Sequence, residues 1–183
     1  MKPEWAEHRE QRNAIELLDD DTESVSDYIK WLYGGTIVRK LYPKSEEDSR
    51  EKKAEEAEKV FVSLARAYVL GEKIIDVKYK NAVVRAVVVA MTDSDWSMGP
   101  ESVGLVYSGT PPGSPLRRLI VENFARIAHD DSEEGVRWMT FIDEYPREAL
   151  ADALKATVKM RHKVKEQHRS DLTAVESYLE NEQ

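Results

Sequence analysis

The chain has 183 residues, 41% hydrophobic and 34% charged, with a formal net charge of -8 and no cysteine. That length suits one domain with a real core, or a small domain with a helical extension, in a helix-rich chain. The missing cysteines exclude disulfides, thiolate zinc sites and cysteine nucleophiles, and the acidity argues against nucleic acid or an anionic membrane as partner.

Ile15 and Leu17 alternate as in a short strand, and Asp20 with Glu23 has capping-box spacing, with Asp21 and Thr22 as other caps. Val25, Tyr28, Ile29, Leu32 and Tyr33 then fall on one helix face, which Gly34 and Gly35 close. Trp31 and Tyr33 read as core aromatics. Residues 43–53 read as a solvated loop running into a helix. From Glu55, the residues Ala57, Val60, Phe61, Leu64 and Tyr68 mark that helix, which Gly71 is expected to end. After a short connection, residues 77–91 form a helix facing inward with Val84, Val87, Val88 and Met91.

Glycines and prolines concentrate between residues 92 and 113, marking a domain boundary or a turn-rich joint, with a brief helix over 100–106. Ser114 followed by Pro115 is a helix start, and Leu116, Leu119, Ile120, Phe124 and Ile127 supply its apolar face. A further helix carries Trp138, Phe141, Ile142 and Tyr145. Pro146 starts the next, with Leu150, Ala153, Leu154, Thr157 and Val158 inward, and a last amphipathic helix has Leu172, Val175 and Leu179. The first residues, MKPEWAEHREQR, carry no apolar signal, and the longest apolar stretch, around Ala86 to Met91, is far too short to span a bilayer. The expectation is an intracellular protein, in cytoplasm or nucleus, with no membrane span.

No catalytic constellation is legible, and no cofactor or metal is expected. His129, Asp130 and Asp131 are consecutive and share no helix face; His162 and His168 lack the i, i+4 spacing of a zinc helix; His8 stands apart. Asp19, Asp20 and Asp21 lack the alternation, glycine and distal glutamate of a calcium loop. Ser114 is in no nucleophile elbow, and Gly109 to Gly113 has no phosphate-loop lysine. Lys159, Arg161, Lys163, Lys165 and Arg169 read as a solvated helix end.

Three separated motifs, in order, carry a resemblance. The first has Ile15, Leu17, Asp19 and Asp20, then Trp31, Leu32, Tyr33, Gly35 and Ile37, as in "I-x-L … DD … WLY-x-G-x-I". The second has Tyr68, Val69, Leu70 and Lys73 in one helix and Lys80, Asn81, Ala82 and Val83 in the next. The third has Tyr107, Gly109, Thr110, Gly113, Ser114, Pro115, Leu116, Arg117 and Leu119, with Tyr145 to Leu150 following as "YPREAL". Over roughly residues 4–160 the chain resembles fungal BTB/POZ domain proteins.

The resemblance implies a mainly α fold with one or two short strands, near 14–18 and 36–38. It implies a partial BTB/POZ-like helical lobe over 1–92 and a C-terminal helical extension over 93–183, packed on it. A full domain of that family begins with a strand, a dimer-forming helix and a hairpin, so the chain is expected to enter near the end of that half. The apolar faces of helices 55–71 and 77–91 would then be left uncovered. The implied function is non-catalytic protein–protein interaction. Its most concrete form is a substrate adaptor for a cullin-based ubiquitin ligase, with Trp5 and Glu7 as the partner-binding residues. The alternative is a scaffold that associates with itself or another protein without cullin contact; an enzyme on a helical fold is the remote one.

Overall fold

Ser49 sets where the longest helix begins. In the computed structural model its side-chain oxygen accepts the Lys52 backbone N–H at 3.3 Å, which starts the helix at Arg50, ahead of the residue 55 expected from apolar spacing. The structure describes residues 22–37, 48–94, 96–128 and 138–161. Among them the chain is mainly helical: α1 (Thr22–Gly34), α2 (Arg50–Ile74), α3 (Val77–Ser94), α4 (Pro100–Gly109), α5 (Pro115–Ile127), α6 (Trp138–Phe141), a 3-10 turn (Ile142–Glu144) and α7 (Arg147–Met160).

No strand occurs among the described residues. The one expected near 14–18 lies outside them, as does Val38 of the other. Thr36 and Ile37 are not a strand. Gly35, at a φ of 67°, turns the chain as its N–H bonds the Trp31 carbonyl at 2.7 Å, so this segment ends a helix.

Gly71 does not end α2. It lies buried inside it, where a Cβ would stand 2.7 Å from Lys80 Cγ and 3.2 Å from Tyr79 Cδ1, so its smallness serves the close approach of α3. The stop comes at Ile75, left-handed at a φ of 61°. Ile75 N–H bonds the Glu72 carbonyl and Asp76 N–H bonds the Gly71 carbonyl, a Schellman closure built without glycine. Asp76 then opens α3, its Oδ1 accepting the Tyr79 backbone N–H at 3.0 Å. The half-buried Lys80–Glu72 ion pair, 2.9 Å, ties the same corner.

α2 is the central helix, packed chiefly against α3 and α4 and less against α1, while α5 packs against α7. α3 turns Tyr79, Val83, Ala86, Val87 and Ala90 inward, so its buried stripe is rotated from the expected one: Val88 is exposed, and Val84 and Met91 are half-buried. Alanine at two of those positions lets the helix axes come close, which outweighs the larger valines. α4 runs to Gly109, beyond the expected residue 106. A Cβ on Gly109 would stand 2.6 Å from both methyl carbons of Val69, so α4 lies against α2 with no room to spare.

Leu116, Ile120 and Phe124 of α5 and Ala149 of α7 join one core with Phe61, Leu64 and Tyr68 of α2, Val83 and Val87 of α3, and Val103 and Val106 of α4. That core crosses residue 92 without interruption. Ile127 at the end of α5 is exposed, against expectation. The expected inner face of α7 is also corrected: Leu154 is 65% and Val158 61% exposed, because α7 docks through Ala149, Leu150 and Ala153.

Candidate functional site

α1 presents the candidate surface. Ser24 is buried, and Tyr28 and Trp31 lean half-buried onto Tyr79 of α3. The ring centroids of Tyr28 and Tyr79 are 4.8 Å apart and edge-on, and those of Trp31 and Tyr79 are 5.0 Å apart, spacings at which aromatic rings attract beyond their area burial. Tyr28 Oη donates to Asp76 Oδ2 at 3.0 Å. One carboxylate thus caps α3 and holds α1. Burial, followed by that hydrogen bond and the Asp76 charge, raises the Tyr28 phenol above its ordinary pKa. Burial also raises Tyr79, whose Oη has no hydrogen-bond partner among the described residues.

With Tyr28 and Trp31 facing inward and Val25 half-buried, the other apolar residues of α1 face outward. Ile29 is 49%, Leu32 55% and Tyr33 91% exposed. Tyr33, expected in the core, is the most exposed of them: six of the thirteen α1 residues, Val25 included, are apolar or aromatic, they spread over two sides, and only one side meets the body. A helix that is apolar on both faces reads as a single broad stripe in sequence, and only packing shows which half is covered.

Two buried polar nodes hold the body to which α1 docks. Arg117, 5% exposed, lies under the turn between α4 and α5. Its Nε donates to Thr110 Oγ1 at 3.0 Å, its Nη1 to Glu148 Oε1 at 2.8 Å, and its Nη2 to the carbonyls of Tyr107 and Thr110. The guanidinium also stands 4.3 Å from the Tyr107 ring centroid, in cation–π range. Burial pushes the Tyr107 phenol up to about 12, with Asp152 adding to it and Arg117 opposing it. Ser114 is buried here, its Oγ bonded to Thr110 Oγ1 at 3.3 Å, and Gly113 turns at a φ of 77°. The motif spanning Tyr107 to Arg117 is therefore one hydrogen-bonded corner.

The second node is Glu58. From α2 it reaches the start of α4, where Gly99 has no side chain to offer as a cap. Glu58 Oε2 accepts Gly99 N–H at 2.7 Å, Oε1 accepts Ser102 N–H at 2.8 Å, and the Ser102 hydroxyl donates to Oε2 at 3.1 Å. Burial raises the Glu58 carboxyl above its usual range and outweighs the three donors, which pull it down. Sequence reasoning missed Glu58, because nothing in local spacing marks a cap supplied from 41 residues away. Arg117 was visible only as a letter in a motif. An open groove of about 1620 Å³ runs along the first half of α2, past Lys30, Arg50, Glu58, Met91, Trp96 and Trp138.

Several residues singled out from sequence lie outside the described ones: Trp5, Glu7, all four histidines, Asp19 to Asp21, Asp130, Asp131, Lys163, Lys165 and Arg169. Lys159 is exposed in the last turn of α7, and Arg161 is exposed just beyond it. The described residues hold no group of three acids or histidines placed to bind a metal, and no helix long and apolar enough to cross a membrane. Of the two helices expected to be left uncovered, α2 exposes no large apolar side chain, its inner face being covered by α3 and α4, whereas α3 exposes Val77, Val88 and Val89; α1 and α7 expose others. No family model, curated protein or solved structure matches the chain.

Proposed function

We propose that the chain is a non-catalytic protein–protein interaction module of the BTB type, with the outer face of α1 as its docking surface. The observation that carries the reading is the Ile29, Leu32 and Tyr33 stripe on a helix fixed from behind by Tyr28, Trp31 and Asp76. An exposed apolar stripe on a helix anchored from behind is suited to helix-in-groove docking. Glu58 and Arg117, the strongly engaged charges of the body, are taken up by internal bonds, which favours a structural over a catalytic use of them.

The concrete version is a substrate adaptor for a cullin-type ubiquitin ligase. In that version Trp5 fills an apolar pocket of the cullin and Glu7 orients the contact by charge-assisted hydrogen bonds. The exposed stripe also favours a second reading, self-association without cullin. Light scattering of the purified chain, alone and with a cullin N-terminal fragment, separates the two. A monomer that gains one cullin mass, and loses it in Glu7→Ala, supports the adaptor. Oligomers that take up no cullin and revert to monomer in Leu32→Ser/Tyr33→Ser support the scaffold. A monomer indifferent to cullin and to both variants overturns the docking role of α1.

A further inference from the structure

Ile75 combines two properties that folding alone does not call for. Among the described residues it is the one non-glycine residue at a positive φ, and its side chain is 79% exposed. Glycine would close the same Schellman turn without strain, and little of the body packs on the isoleucine in return. Backbone strain that the fold does not need collects at sites of function.

The surface continues from there along α3. Val77, 58% exposed, opens the helix two residues later. Asn81, Arg85 and Val88 stand at i+4, i+8 and i+11 from it, all exposed, opposite the buried row of Tyr79, Val83, Ala86 and Ala90. Lys78 and Val89, also exposed, flank them. The bare charges of this face have one sign. Lys78 and Arg85 carry no ion pair among the described residues. The acids at the corner are engaged elsewhere, Glu72 with Lys80, and Asp76 with the Tyr28 hydroxyl and the Tyr79 N–H. Asp93 is the one acid of α3 and lies at its far end. On a chain of net charge -8, an apolar tip thus sits beside two uncompensated cations.

We propose that the α2–α3 corner and the outer face of α3 form a second docking surface, for an acidic peptide segment of a partner protein. Ile75 and Val77 receive its apolar anchor, and Lys78 and Arg85 pair with carboxylates beside that anchor. Burying the apolar tip supplies affinity, while the two cations steer an acidic chain in and reject a basic one. A second copy of this chain suits the surface less, because a symmetric pairing would bring Lys78 and Arg85 against like charge. The surface is separate from the α1 stripe, so the inference does not rest on the function proposed above.

The probe is a random dodecapeptide phage library selected on the purified full-length chain, with the enriched peptides then measured by fluorescence anisotropy. The expected peptides carry aspartate or glutamate around one or two large apolar residues. Their affinity should fall about ten-fold in Ile75→Gly and again in Lys78→Glu/Arg85→Glu. A control, Leu154→Ser/Val158→Ser, removes side chains equally exposed on α7 and should leave binding unchanged. Because Ile75→Gly relieves backbone strain, its urea midpoint should rise while binding falls, so the loss is not one of folding. Added salt should weaken binding to the native protein. Enriched peptides without an acidic bias, peptides indifferent to either Ile75→Gly or the charge reversal, or no enrichment at all would overturn the proposal. Peptides lost in Leu32→Ser/Tyr33→Ser instead would overturn it too, and would place the capture on α1.

Discussion

Ile75 is the residue most at odds with its backbone. A β-branched side chain at a φ of 61° pushes its Cβ against the carbonyl, at a cost of about 1–2 kcal/mol. Its side chain is largely exposed, so little packing offsets that cost. Ile75→Gly should therefore raise stability by about 1 kcal/mol, the relief of strain less the extra entropy of glycine. Urea unfolding of the two proteins would decide it, and an unchanged or lower midpoint would mean that the Ile75 side chain holds the α2–α3 corner in some other way. Arg117 shows the contrary economy, with four of its five N–H donors engaged. Its guanidinium meets four acceptors in a fork that a lysine ammonium cannot reproduce.

Among the elements, α4 depends on a neighbour for its own beginning. Glu58 of α2 caps it, and a Cβ on Gly99 would stand 2.7 Å from Glu58 Oε2, so the glycine is there to let the carboxylate in. The raised Glu58 carboxyl gives this contact a pH signature. The folded state binds that proton more tightly than the unfolded one, where the carboxyl titrates at about pH 4.3. The stability tied to the proton is present below that pH and is lost as pH rises through the folded value. Glu101, the charge that bears on the site, raises the carboxyl further and does not reverse the sign. Relative to Glu58→Gln, the native protein should lose stability between mildly acidic and neutral pH, measured as urea midpoints across that range. A native protein that instead gains on the variant would show that the three N–H and O–H donors outweigh burial. Element boundaries were legible where chemistry is local: Ser114 with Pro115 opens α5 as read, and residues 77–91 fall within α3. Faces were less legible. α1 and α3 are apolar on more than one side, so period alone could not say which side packs. Gly71 was misread as a stop because its reason for being glycine, the stem of Lys80, lies on another helix.

At the scale of the molecule, one core joins α2 and α3 to α4, α5 and α7. That core leaves no internal seam among the described residues, so their unfolding should be one cooperative transition, with backbone and aromatic probes coinciding. A fragment ending near residue 92 would bare Phe61, Leu64 and Tyr68 and should show no cooperative transition of its own. Two separate transitions in the full chain would refute the continuity of the core. The aromatic clusters provide the means to look. Trp31 sits against Tyr28 and Tyr79 at one end, and Trp138 against Phe124, 4.9 Å away, and Tyr145, 6.2 Å away, at the other. Rings held this close couple their electronic transitions, and the coupling vanishes when they swing free. The protein thus carries two intrinsic optical gauges, one for the seating of α1 and one for the joint between α5 and α6. Near-ultraviolet circular dichroism of Trp31→Phe and Trp138→Phe would read each end without any added dye.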